Sequence, residues 1–152
     1  MELTAIDRGI LRLLQEDSRC KMDDIANAVG ASVATIQRRI RYFKAEGLIK
    51  SDQAVLEPEL AGQNMTFLIL VELERERIDI LDEFRRKVAA EERIQQCYYI
   101  TGEADFALIA LAEDMRDYQA LIQRLFFDDT NVKRFRTSVV MERTKVGLFV
   151  PV

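Results

Sequence analysis

The chain has no histidine in its 152 residues. That absence removes a Ser-His-Asp triad, a Cys-His nucleophile pair and a histidine-ligated haem from the chemistry it can carry. It also lacks a GxxxxGK phosphate loop and a GxGxxG dinucleotide fingerprint. Catalysis by paired carboxylates needs neither, but the many acids fall mainly on predicted helix faces, where solvation explains them. Only two cysteines are present, Cys20 and Cys97, in different predicted elements and with no His or Cys nearby. Both are expected to be small buried residues, with no zinc site and no disulfide framework. No apolar run approaches the roughly 18 to 20 residues that span a bilayer. The acidic, amphipathic N-terminus lacks the basic region and apolar core of a signal peptide. A cytoplasmic chain without membrane association, metal or cofactor is the expectation.

What is present is concentrated in residues 21–47, KMDDIANAVGASVATIQRRIRYFKAEG. Ile25, Ala26 and Val29 give a short helix with one apolar face, and Gly30 follows where a C′ residue takes positive φ. Ser32 stands as an N-cap, and Val33, Ile36, Ile40 and Phe43 continue at spacings of three and four, predicting a second helix from about Val33 to Glu46. The other face of this helix carries Thr35, Gln37, Arg38, Arg39, Arg41 and Lys44, and Gly47 marks its end. Five cations against one acid lie between Ile36 and Lys50. Charges on one face alone describe any solvated helix. The sharp turn and the small N-terminal residues Ser32, Ala34 and Thr35 add the features that let a helix enter a major groove of double-stranded DNA.

Upstream, Ile6, Ile10, Leu13 and Leu14 form the apolar stripe of another helix over residues 3–15. It is opened by Thr4-Ala5-Ile6-Asp7, an [ST]-x-x-[DE] capping box. Three helices followed by an extended pair form a winged helix-turn-helix unit. About fifty residues bury little surface, so this unit is expected to need a neighbour or partner chain for full stability.

The net charge of −4 is unfavourable for phosphate binding at first sight. Residues 1–58, however, hold nine basic and nine acidic side chains, and the acidic excess lies entirely in residues 59–152. The predicted organisation is a helix-turn-helix domain over residues 1–50, a linker over 51–63 with Ala54-Val55-Leu56 as a possible strand and Pro58 as a break, and a second domain over 64–152.

In that second domain the apolar run 65–74 (MTFLILVELE) reads as an interior strand. A helix follows with Ile80, Leu81, Phe84 and Val88 on one face. Residues 94–101 and 105–112 are two strands joined at Gly102-Glu103-Ala104 in a hairpin. Tyr118, Leu121, Ile122, Leu125 and Phe126 mark another helix. Residues 132–142 alternate Phe135, Thr137 and Val139 against Arg134, Arg136 and Ser138, and 146–150 is assigned a short final strand. The order β-α-β-β-α-β is the ferredoxin-like arrangement, giving an α+β chain. Its open sheet leaves one face bare, and another copy of the chain is the expected cover. The turn around Thr101 to Asp105 gathers backbone amides, a hydroxyl and two carboxylates, a set suited to a zwitterion; the same turn also reads as a plain polar hairpin.

This combination resembles the leucine-responsive and asparagine-responsive (Lrp/AsnC) family of transcription regulators over nearly the whole chain. The stretches that carry the likeness are IDRGILRLLQEDSR (6–19), DDIANAVGAS (23–32), TIQRRIRYFKAEGLI (35–49), YYITGEADF (98–106) and VKRFRTSVVMERTK (132–145). Two positions depart from it: Lys21 replaces a common capping Ser or Thr, and Val33 replaces a frequent proline. Asp23 and Asp24 still complement the positive end of their helix, and Ser32 still caps the next.

The resemblance implies a C-terminal domain that binds a small molecule, usually an amino acid, between subunits, and homodimers that assemble to octamers. It implies effector contacts from Tyr99, Thr101, Gly102, Glu103, Ala104 and Asp105, with Asp105 as ammonium partner and Phe135 and Thr137 supplied by an adjoining subunit. It implies DNA contact through Ser32, Ala34, Thr35, Gln37, Arg38, Arg39, Arg41 and Lys44. Two competing readings remain: a tetrapyrrole-processing enzyme, since some of these resemble the same family, and a ligand-sensing module that no longer binds DNA.

Overall fold

A computed structural model of the chain describes residues 2–75 and 77–152. It separates into two compact units, Met1–Val55 with Lys145–Val152, and Leu56–Thr144.

The first unit contains α1 (Ala5–Glu16), α2 (Met22–Val29) and α3 (Val33–Ala45). Thr4 caps α1 reciprocally: its hydroxyl accepts from the Asp7 N–H at 3.2 Å, and the Asp7 carboxylate accepts from the Thr4 N–H at 3.0 Å. Gly30 ends α2 at φ 70°, a left-handed conformation that a side chain would oppose. Lys21 gives α2 no side-chain cap. Ile10, Leu11, Ile25, Ala26, Ile36 and Phe43 bring the three helices together as one apolar core. Burying each large side chain among them contributes roughly 1.5 to 3 kcal/mol relative to exposure.

No strand pair forms after α3: residues 51–57 have no ladder partner, and Val55 and Leu56 are 96% and 70% exposed. The expected strand at Ala54-Val55-Leu56 is therefore absent from the single chain, where these residues pair with no other strand. The final strand expected at 146–150 is also absent; that segment lies against α1 as unpaired chain.

The second unit is built on a sheet of order β2-β3-β1-β4, from β1 (Met65–Leu73), β2 (Ile94–Tyr99), β3 (Phe106–Ala112) and β4 (Val132–Val139). All three pairings are antiparallel. The helix α4 (Ile78–Ala89) and the helix α5 (Met115–Ile122), continued by a π-helical turn at Gln123–Phe127, supply the other half of the core. Phe67, Ile69, Val71, Phe106, Leu108 and Ala110 point into it. By alternation, Leu68, Leu70, Ala107, Ile109 and Leu111 lie on the opposite face with Arg134 and Arg136. Leu68 there is 39% exposed. The cysteines differ from expectation: Cys20 is half-buried and Cys97, near the sheet edge, is exposed.

Candidate DNA-reading helix and effector cleft

α3 starts at Ser32, whose hydroxyl accepts from the Thr35 N–H at 3.3 Å and meets the Thr35 hydroxyl at 3.0 Å. The N-terminal turn thus satisfies its own donors with short side chains and leaves Ala34 exposed beside them. Gln37, Arg38, Arg41 and Lys44 are exposed along the same helix, and Thr35 is half-buried. Lys44 meets Asp52 at 2.6 Å, both half-exposed, a surface pair that salt and competing phosphates readily exchange.

Arg39 is placed differently from its neighbours. Its Nε and Nη2 each donate to Asp7 at 2.6 Å, and its guanidinium lies over the Tyr42 and Phe43 rings at 5.1 and 5.0 Å. Asp7 is 1% exposed and is the buried charged residue among those described. Burial pushes its carboxyl up, and the hydrogen bonds from Arg39 and Thr4 outweigh burial and hold it below the ordinary carboxylate range. Sequence reading grouped Arg39 with the cations of the outer face. The signal it passed over is spacing: Ile36, Arg39, Ile40 and Phe43 stand at i, i+3, i+4 and i+7, a single stripe that faces the core.

In the second unit, the hairpin turn between β2 and β3 opens on a cleft of about 670 Å³ lined by Glu72, Leu73, Glu74, Gly102, Glu103, Ala104, Asp105, Lys133, Arg134 and Arg136. Four of the predicted effector residues, Gly102, Glu103, Ala104 and Asp105, are thereby gathered in one place, and Thr101 is exposed on the same turn. The turn is tied to the sheet through the backbone: Asp105 donates to the Val71 carbonyl at 2.9 Å and its own carbonyl accepts from Ile100 at 2.8 Å. One oxygen of the Asp105 carboxylate accepts from the Leu73 N–H at 2.6 Å, where the β1–β4 register is irregular. The cations across the cleft were not anticipated as site residues. Arg136 reaches Glu103 at 3.1 Å, and Glu72 takes both Lys133 and Arg134 at 2.6 Å. Those two bonds hold the Glu72 carboxyl below its usual range. The turn therefore offers carboxylates and cations side by side, the two charges a zwitterion requires.

The remaining predicted effector residues lie elsewhere in this chain. Register places Tyr99, Phe106, Val71 and Phe135 in one row across the helix-covered face. Tyr99 packs at a tilt against Phe106, with the Arg85 guanidinium 5.3 Å from its ring. Phe135 packs against Phe126 and Phe127. The Thr137 hydroxyl is hydrogen-bonded to that of Tyr118. Phe135 and Thr137 are core-side residues here because β4 alternation turns Arg134 and Arg136, not them, to the open side.

Comparison with known proteins agrees with both halves of this description. Residues 3–50 match the winged helix-turn-helix DNA-binding family model, and residues 66–147 match that of the Lrp/AsnC ligand binding domain. An uncharacterized helix-turn-helix transcriptional regulator of Sinorhizobium fredii is 36% identical over 100% of this chain and 90% of its own. The leucine-responsive regulatory protein of Escherichia coli is 31% identical over 95% of this chain and 88% of its own. Among solved structures, an AsnC family transcriptional regulator of Agrobacterium tumefaciens superposes with TM-score 0.91 at 27% identity, covering 98% of this chain and 97% of that one. A Neisseria meningitidis transcriptional regulator, solved as its L-Met complex, superposes with TM-score 0.91 at 25% identity, covering 99% and 97%. With a capped, cation-bearing reading helix in one unit and the family's ligand-binding fold in the other, the chain belongs to the Lrp/AsnC family of transcriptional regulators.

Proposed function

We propose that this regulator binds an amino acid in the cleft beside the β2–β3 turn and reads double-stranded DNA as a homo-oligomer. The observation that carries the reading is the juxtaposition of Glu103 and Asp105 with Arg134 and Arg136 around Gly102. Asp105 and Glu103 supply acceptors for an ammonium group, and the cations supply donors for a carboxylate. The L-Met complex of the Neisseria relative supports this class of ligand. Tyr99, Phe135 and Thr137 support the cleft from the core side rather than lining it within the chain.

On DNA, the N-terminal turn of α3 enters the major groove with Ser32, Ala34 and Thr35 close to the bases. Gln37, Arg38 and Arg41 divide between base edges and phosphates, and Lys44 leaves Asp52 for phosphate. The apolar face of Leu68, Leu70, Ala107, Ile109 and Leu111 pairs with a second copy, and dimers assemble further, to octamers. The ligand shifts that assembly only if it binds its states with different affinity. Relatives named as transcriptional regulators support a cytoplasmic binding protein over a tetrapyrrole-processing enzyme.

Two measurements on the full chain test this: salt-titrated binding to duplex DNA, and light scattering with and without each amino acid. The expected outcome is salt-sensitive DNA binding whose stoichiometry or affinity changes with at least one amino acid. Tetrapyrrole binding with no DNA affinity would favour the enzyme instead.

A further inference from the structure

The reading helix carries three arginines within four positions, Arg38, Arg39 and Arg41, and the structure uses them differently. Arg38 and Arg41 are exposed, whereas Arg39 belongs to the stripe of Ile36, Ile40 and Phe43 and places both arms of its fork on one carboxylate. That carboxylate, Asp7, is already fixed at the first turn of α1 by the N–H of Thr4 at 3.0 Å and its hydroxyl at 2.8 Å. Two rings close over the guanidinium from the α3 side. A planar fork held by two bonds along its Nε–Nη2 edge, with its face over two aromatic rings, has little freedom to turn to a groove.

We infer that Arg39 does not contact DNA and is a positioning residue, which with Asp7 fixes the axial rotation and depth of α3 against α1. The inference rests on the proposed DNA-reading role of α3. Asp7, far from any DNA-facing side chain in sequence, then becomes a determinant of DNA affinity. An arginine pinned at α3's mid-point holds the outer face of Gln37, Arg38, Arg41 and Lys44 at a constant angle. A bidentate pair resists rotation of one helix about its axis more than apolar contacts do, since it fails at small angular errors.

The test is the salt dependence of binding to a labelled mixed-sequence duplex of about 30 base pairs. Each phosphate contact that is lost lowers the slope of log affinity against log salt by roughly 1 per bound helix. R38A and R41A serve as references and are expected to lower the slope between them. R39Q is expected to weaken binding severalfold at an unchanged slope. The matched apolar pair D7L with R39M, which refills the buried space without charge, is expected to recover affinity to within about threefold of the parent. A slope reduced by R39M in that pair as much as by R38A would overturn the assignment. Should the pair fail to fold by circular dichroism, D7N decides: it keeps Arg39 but replaces its charged, two-oxygen anchor with a neutral amide that has one acceptor oxygen. Weaker binding by D7N supports positioning, whereas unchanged or tighter binding contradicts it. Absence of DNA binding by the parent chain would remove the DNA-reading role itself, and is separable because the parent is measured first.

Discussion

The side-chain amide of Gln15 on α1 closes both backbone hydrogen bonds of Val150: the Val150 N–H donates to Oε1 at 2.7 Å, and Nε2 donates to the Val150 carbonyl at 3.0 Å. Arg12, one turn earlier, donates to the Val152 carbonyl at 3.1 Å, and Val152 packs on the helix-turn-helix core. A side chain here imitates a strand neighbour, so residues 145–152 are part of the first unit although the chain reaches them only after completing the second. The polypeptide thus crosses between the units twice.

Replacing Gln15 by Ala is expected to release this segment. Each exposed hydrogen bond is worth at most about 0.5 to 1.5 kcal/mol, so the loss of global stability is small. Amide exchange at Val150 should rise sharply while exchange in the α2 and α3 cores does not. Equal protection of Val150 in the variant would show that packing of Val152 alone retains the segment.

The Asp7 carboxyl gives the first unit an acid limb. Its folded pKa lies below the unfolded value of about 3.9, so the stabilisation is fully present above that value and is lost as pH falls through the lower folded value. Urea unfolding followed from pH ~6 down to ~2.5 should show the parent losing more stability over that interval than D7N. D7N should be the less stable of the two at neutral pH. A parallel pH dependence of the two proteins would mean that carboxylates other than Asp7 set the acid limb.

Thr137 and Phe135 allow the core and the cleft to be separated. Thr137→Val removes the partner of the Tyr118 hydroxyl, whose pKa burial pushes up. It should cost about 1 to 3 kcal/mol of stability. The midpoint shift produced by an amino acid should be the same in the variant as in the parent. A selective loss of the ligand shift would instead place Thr137 in a site completed by another subunit.

The bare sheet face offers a direct assay of self-association. Leu70→Glu, opposite Ala107, and Ile109→Glu, opposite Leu68, each put a charge among the apolar side chains of β1 and β3 on this face. Burying an unpaired carboxylate costs several kcal/mol, so both variants should run as smaller species by light scattering. DNA affinity should fall with them, because a single reading head makes half the contacts. Unchanged mass in both variants would move the interface elsewhere.

Much of this fold is legible in the sequence because local and global signals agree. The Thr4 box, Gly30, the Ser32 cap and the period of Ile36, Ile40 and Phe43 define the three helices to within a residue or two, and strand alternation gives the sheet faces. Three of the misses share one cause, which is partners distant in sequence. Arg39 looks like any surface arginine until Asp7, thirty-two positions away, is seen beneath it. Residues 146–150 have strand composition, yet the groups that receive them belong to α1 rather than to a strand. The cleft's acidic turn was readable from TGEAD, whereas its cations come from β4, on the far side of β1, and only the register brings Arg136 to Glu103.

The most direct measurement of the central proposal is a thermal-shift screen of the full chain against the proteinogenic amino acids, run beside Asp105→Ala and Arg136→Ala. A ligand that binds the native state raises its midpoint in proportion to the logarithm of its concentration above Kd. The predicted result is a rise for at least one amino acid in the parent that both variants lose, whatever their own baseline midpoints. No rise with any amino acid, or a full rise retained by both variants, would contradict a zwitterion site at the β2–β3 turn.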